Sequence, residues 1–123
     1  IHEALSYAKE REQFGKPIAE FQLIQAMLAD SQAECYAPET MVFDAARRFD
    51  QGEKITMQAS CVKMFAAEMV GRVADRTVQI FGGAGYMAEY GVERFFRDVR
   101  LFRLYEGTTQ IQQLIIAKEL MKN

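Results

Sequence analysis

Apolar residues return every three or four positions along most of this chain, the spacing that lines one face of an α-helix. Residues 3–13 read as the end of one helix, where Leu5, Tyr7 and Ala8 precede the charged run Lys9-Glu10-Arg11-Glu12. Phe14-Gly15-Lys16-Pro17 breaks it, because Gly15 suits a left-handed cap and Pro17 cannot continue the helix. A second helix runs from Phe21 to about Asp50. Phe21, Ile24, Leu28 and Ser31 form its stripe with Leu23 and Met27 beside them, and Met41, Val42, Ala45 and Phe49 continue it. Pro38 forfeits a backbone hydrogen bond inside that run, so a kink or a fresh start is expected there, and Gly52 is placed to end the helix. The clearest period follows: Ile55, Ala59, Val62, Ala66, Met69, Val73, Thr77 and Ile80, with Lys63, Glu68, Arg72 and Asp75 mostly elsewhere. Residues 92–103 predict a short helix. A last helix starts at a Thr108 or Thr109 cap, with Ile111, Leu114, Ile115, Leu120 and Met121 as its apolar stripe. No β-type alternation, internal repeat or low-complexity linker is found, which predicts an all-α up-and-down helical bundle over residues 1–123.

Composition narrows the function classes. A chain of 123 residues, half of them apolar, is long enough for one domain with a core. The net charge of −2, with acids and bases interspersed, argues against a nucleic-acid or anionic-membrane surface as the main partner. No apolar run approaches the roughly 18 residues that a membrane span needs, and no secretory signal is visible. Cys35 and Cys61 lack ligand-like spacing and read as buried free thiols of a reducing compartment. With a single histidine, His2, a metal site is not expected. The chain opens Ile1-His2-Glu3-Ala4-Leu5 inside a helical pattern and without a starting Met, so it is expected to be part of a longer polypeptide.

Three stretches carry candidate chemistry. Gly82-Gly83-Ala84-Gly85-Tyr86 leaves backbone N–H groups accessible to a phosphate, or is a plain helix cap and loop; it follows a helix and is no dinucleotide fingerprint. Arg94, Arg97, Arg100 and Arg103 recur at every third position, which makes either an anion-binding face or an ion-paired edge around Glu93 and Asp98. Glu106-Gly107 stands at the mouth of the last helix. There a carboxylate either complements the helix dipole or faces a ligand.

Arg11-Glu12-Gln13-Phe14-Gly15-Lys16-Pro17-Ile18, then Gln79-Ile80-Phe81-Gly82-Gly83-Ala84-Gly85-Tyr86, then Tyr105-Glu106-Gly107-Thr108-Thr109-Gln110-Ile111-Gln112 together resemble the acyl-CoA dehydrogenases. The motifs occur in that family's order, and the likeness covers essentially the whole chain. The resemblance implies the C-terminal helical domain (short- and medium-chain type) of a larger FAD-dependent subunit, whose N-terminal helical and middle β-domains are absent here. It implies a homo-oligomer, dimer or tetramer, with this domain supplying much of the contact. Arg11 and Phe14 match residues that contact the FAD of a neighbouring subunit, the arginine toward the pyrophosphate, and Gln13 matches a variable polar position. Gln79 and Gly83 match positions beside the adenosine end of that flavin, and Thr108 and Gln110 match contacts to the subunit's own flavin. Guanidinium groups pair well with phosphate oxygens, and glycine allows close backbone approach.

Glu106 falls on the catalytic base of the family's short- and medium-chain type enzymes, whereas subfamilies for longer or branched chains place the base on a different helix. The resemblance therefore implies α,β-dehydrogenation of a straight-chain saturated acyl-CoA to a trans-2-enoyl-CoA, as in fatty-acid β-oxidation. The base would take the α-proton while the β-carbon gives hydride to the flavin. The Glu106 N–H and a flavin ribose hydroxyl would stabilise the enolate oxygen, and Gly107 would leave space for the thioester. A carboxylate needs water excluded and preorganised donors for such work. The implied electron acceptor is an electron-transfer flavoprotein, and the implied location is the bacterial cytoplasm or the mitochondrial matrix. An acyl-CoA oxidase-like flavoenzyme and a non-catalytic oligomerisation module are the alternatives, and the 123 residues alone are expected to be inactive.

Overall fold

The computed structural model describes residues 1–122 and is an all-α bundle. It comprises α1 (His2–Glu10), a hairpin of β1 (Glu12–Gln13) and β2 (Lys16–Pro17), α2 (Gln22–Asp50), α3 (Thr56–Phe81), α4 (Val92–Asp98) and α5 (Thr109–Leu120). Short 3-10 turns cover Ile18–Glu20, Gly82–Tyr86, Ala88–Tyr90 and Val99–Arg103. Helix α3 is the axis, packing against α1, α2, α4 and α5. Its one-sided apolar stripe therefore understates it. Met69, Val73 and Ile80 are buried as the period predicts, but so are Ser60, Ala67, Gly71 and Ala74 on another side, while Ala59 is exposed. Small residues on that second side let the neighbouring helices approach closely.

The first helix ends earlier than the pattern suggests. Arg11 is already extended, its N–H bonded to the Tyr7 carbonyl at 2.8 Å and its own carbonyl accepting from the Ile18 N–H at 2.8 Å. The chain then turns through Phe14 (φ 53°) and Gly15 (φ 81°), with Gln13 opposite Lys16. Two successive positive φ values are what a two-residue hairpin turn needs. Gly15 thus has the left-handed backbone expected of it, in a hairpin and not in a helix cap.

Pro38 starts no new helix. It is buried inside an unbroken α2, whose neighbouring turns continue its hydrogen bonding. The α2 end is closed by the Gly52 N–H to the Phe49 carbonyl (2.9 Å) and the Glu53 N–H to the Arg48 carbonyl (3.0 Å), the paired bonds of a Schellman motif. The arginine segment is α-helical only to Asp98 and tightens to a 3-10 turn through Arg103.

Helix α5 departs furthest from expectation. Thr108 does cap it, accepting from the Ile111 N–H at 3.3 Å. Yet its buried residues are Thr109 and Gln112, whereas Ile111, Leu114, Leu120 and Met121 are exposed. The polar face meets α3, and most of the apolar stripe faces outward. One core cluster centres on Ala4, Ala8, Ile18 and Ile80, with Phe21, Ile24, Met27 and Leu28 packed around them. Cys35 and Cys61 are free thiols, half-buried where full burial is expected; burial pushes the Cys35 thiol upward in pKa.

Candidate functional site

Glu106 stands in a turn between the 3-10 segment and α5, two residues before the Thr108 cap. It is therefore outside the first helical turn. Its φ of 54° and the φ of 86° at Gly107 make two consecutive left-handed residues. For a residue with a Cβ that conformation costs about 1–2 kcal/mol and persists only where the surroundings hold it. They do. Gln112, buried in the first turn of α5, donates from Nε2 to the Glu106 carbonyl (3.3 Å) and the Gly107 carbonyl (3.4 Å). Lys63, half-buried on α3, donates from Nζ to the Phe102 carbonyl (2.7 Å) and the Gly107 carbonyl (2.5 Å).

The flanks of the turn converge on one carboxylate. Thr109 Oγ1 donates to Glu68 Oε1 at 3.0 Å, and Arg103 Nε lies 3.4 Å from Glu68 Oε2. The Arg103 guanidinium crosses α3 at Gly71, where a Cβ would lie 1.9 Å from its Nη2. Among the described residues the Glu106 N–H has no hydrogen-bond partner, and its side chain is exposed. A free donor and a free carboxylate thus belong to the same residue. Beside them is a pocket of 420 Å³ lined mainly by Ala66, Ala67, Met69, Val70 and Phe102. Apolar walls strengthen any electrostatic contact made within them once water is displaced.

A second, larger pocket of 1100 Å³ lies where the hairpin meets the end of α3, and Arg11, Gln13, Phe14 and Gly83 all line it. Tyr7 supports it from below, stacked on Phe81 at 4.0 Å and donating to the Phe81 carbonyl at 3.4 Å. Phe14 is 93% exposed, its edge toward Phe21, whose ring also carries Lys16 Nζ at 4.6 Å. Arg11 is exposed and forms no ion pair among the described residues. A Cβ added to Gly83 would meet nothing within 4 Å, so the chain's own packing does not require that glycine; at Gly85 a Cβ would lie 2.7 Å from the Val78 carbonyl oxygen. Gln79 is exposed on the last turn of α3 and does not line this pocket.

The predicted residues therefore form two clusters within one chain. Arg11, Phe14 and Gly83 share the hairpin pocket; Glu106, Gly107, Thr108 and Gln110 follow one another at the α5 entrance. Of the arginines, Arg94 pairs with Asp98 (3.4 Å) and Arg103 with Glu68, while Arg97 and Arg100 line a 630 Å³ pocket that also contains Asp75 and Glu93. For Arg94 and Arg103 the ion-paired edge is the reading that holds. Lys63, Glu68 and Gln112 escape sequence reasoning, since a helix-surface charge or amide shows no sign of which carbonyl it will reach.

The family model for the acyl-CoA dehydrogenase C-terminal domain matches residues 1–121. The chain belongs to the acyl-CoA dehydrogenase family. It is 49% identical over 119 residues to the probable acyl-CoA dehydrogenase YngJ of Bacillus subtilis, covering 97% of this chain and 31% of that protein. It is 46% identical over 122 residues to subunit CarC of the caffeyl-CoA reductase-Etf complex of Acetobacterium woodii, covering 99% and 32%. Among solved structures, butyryl-CoA dehydrogenase from Megasphaera elsdenii superposes with a TM-score of 0.95 at 38% identity, over 98% of this chain and 31% of that one. The chain thus spans about a third of the length of these relatives.

Proposed function

We propose that this acyl-CoA dehydrogenase-family chain is the C-terminal domain of a longer FAD-dependent subunit in which Glu106 removes the α-proton of a straight-chain saturated acyl-CoA. The observation that carries this reading is the Glu106–Gly107 turn: a strained left-handed glutamate, with carboxylate and N–H both unpartnered, beside an apolar pocket. The carboxylate would take the α-proton, and the N–H would donate to the thioester oxygen as negative charge develops there. Gly107, beside the thioester in this reading, has its Cβ direction filled by Gln112 Nε2 at 2.7 Å, so its missing side chain serves the packing of the turn. Because Glu106 is exposed in this chain, water exclusion would come from the bound acyl group and the rest of the subunit.

The residues present fit FAD. An unpaired Arg11 guanidinium suits a pyrophosphate, an exposed Phe14 ring suits a flat heterocycle, and Gly83 opens the backbone to close approach. When bound, FAD would accept the hydride from the β-carbon. Thr108 and Gln110 lie close in sequence to Glu106 and would contact the subunit's own flavin, while Arg11, Phe14, Gln79 and Gly83 would contact a neighbour's. Separation of the two clusters within one chain supports such sharing, and with it a homo-oligomer. An electron-transfer flavoprotein is the proposed acceptor, in keeping with the Etf complex to which the Acetobacterium relative belongs.

Identity to a caffeyl-CoA reductase subunit favours a second reading, in which the same residues run the reaction toward saturation and Glu106 returns the α-proton. Anaerobic titration of the full-length flavoprotein separates the two. Bleaching of oxidised flavin by saturated acyl-CoAs, abolished by Glu106→Gln with flavin retained, supports the dehydrogenase. Reoxidation of reduced flavin by 2-enoyl-CoAs, without bleaching by the saturated ones, supports the reductase. Flavin loss in Glu106→Gln would make the residue structural and overturn the base assignment.

A further inference from the structure

Lys63 projects from mid-α3 and spends its charge on backbone. Among the described residues it forms no ion pair, and its partners are the Phe102 and Gly107 carbonyl oxygens, at 2.7 and 2.5 Å. These two oxygens lie on opposite sides of Glu106 in the chain, so one ammonium closes the base of the loop that carries it. Bonds from a charged donor are shorter and stronger than neutral ones. The Gly107 carbonyl is one residue beyond Glu106, so holding it together with the Phe102 carbonyl fixes the chain on both sides of the glutamate. Gln112 Nε2 donates to the same carbonyl at 3.4 Å. Lys63 and Glu106 both line the same apolar pocket, so the lysine adjoins the site and is not a remote support.

We propose that Lys63 is a positioning residue for the Glu106 base, its ammonium setting the left-handed turn through the Phe102 and Gly107 carbonyls. This rests on the reading of Glu106 as the base. The fold has little need of the tie: Phe102 is exposed, Gly107 is half-buried with Gln112 as a second donor to its carbonyl, and α3 is held along its length by four other helices. Catalysis has more need of it, because a misplacement of about 1 Å in a reacting group can lower a rate by about 100-fold.

The test uses the full-length flavin-loaded protein and anaerobic stopped-flow reduction by butyryl-CoA and octanoyl-CoA. Lys63→Met is expected to lower the limiting rate of flavin bleaching by roughly 10- to 100-fold while the acyl-CoA dissociation constant moves by less than about threefold. Flavin content and helical circular dichroism should match the wild type. Lys63→Arg, which keeps charge and donors, is expected to recover the rate to within about tenfold of wild type. An unchanged limiting rate in Lys63→Met overturns the proposal. So does a loss of rate accompanied by loss of flavin or helix, which would assign Lys63 to the general fold, and so does Lys63→Arg as slow as Lys63→Met. A wild type that neither acyl-CoA bleaches, or a Glu106→Gln that bleaches normally, removes the base assignment and this proposal with it. Failure of the Lys63 proposal alone requires a competent wild type and an inert Glu106→Gln.

Discussion

Gly107 and Gly83 adjoin the two proposed site clusters, and a methyl group added to each would meet different surroundings. At Gly107 the backbone is left-handed (φ 86°) and a Cβ would lie 2.7 Å from Gln112 Nε2, itself buried and bonded to the turn. Gly107→Ala is expected to lower stability by about 1–3 kcal/mol in urea denaturation and to slow substrate reduction with it. At Gly83 nothing lies within 4 Å of a Cβ. Gly83→Ala is expected to leave stability within about 0.5 kcal/mol of wild type while weakening flavin retention, measured by flavin release on dilution. Equal destabilisation by the two substitutions would show that Gly83 serves packing and not a ligand. Individual residues were legible unevenly. Glu106-Gly107 and Arg11 through Pro17 announce themselves as motifs, whereas the left-handed state of Glu106 is not written in a glutamate, whose own preference is for the opposite hand.

Helix α5 exemplifies what element-level patterning leaves undecided. Its period correctly groups Ile111, Leu114 and Ile115, and its cap at Thr108 is where the sequence suggests. The assumption that the apolar side faces the bundle is what fails, because Thr109 and Gln112 have partners on the inside: Glu68 on α3 and the carbonyls of the Glu106 turn. Buried polar groups are tolerated when hydrogen-bonded, and these are. Leu114 is left 66% exposed. An apolar helix face of this kind is the usual mark of an interaction surface. Leu114→Glu is therefore expected to leave the helix content of the full-length protein intact and shift it toward smaller assemblies, read by sedimentation velocity. Unchanged assembly size would remove this face from the proposed oligomer contact.

At the scale of the whole molecule, the two longest helices are joined by an ionic clamp. Glu34 on α2 receives Arg72 Nε at 3.1 Å and Arg76 Nη1 and Nη2 at 3.1 Å, both from α3. The hydrogen bond from Arg76, helped by Arg72 and opposed by partial burial, holds the Glu34 carboxyl below its ordinary value of 4.5. A carboxyl whose pKa falls on folding adds stability that is fully present above the unfolded-state value and disappears as pH drops through the folded-state value. Thermal stability is thus expected to fall as pH is lowered below 4.5, with Glu34→Gln already reduced at pH 7 and flatter through that acid range. Melting temperatures of both proteins from pH 7 to pH 3 check this. Parallel curves would mean that Glu34 is not among the groups responsible.

Local chemistry and period were enough to place five helices, the stop at Gly52, a threonine cap on the last helix and the three family motifs. Each depends on a backbone preference or a side chain acting within a few residues of itself. Tertiary structure alone decided the hairpin at Phe14-Gly15, the unbroken passage of α2 through Pro38, the outward apolar face of α5, and the hold of Lys63 and Gln112 on the Glu106 turn. Helical periodicity says which residues share a face but not what that face meets. A left-handed glutamate is likewise affordable only because residues 43 positions before it and 6 after it reach the same turn.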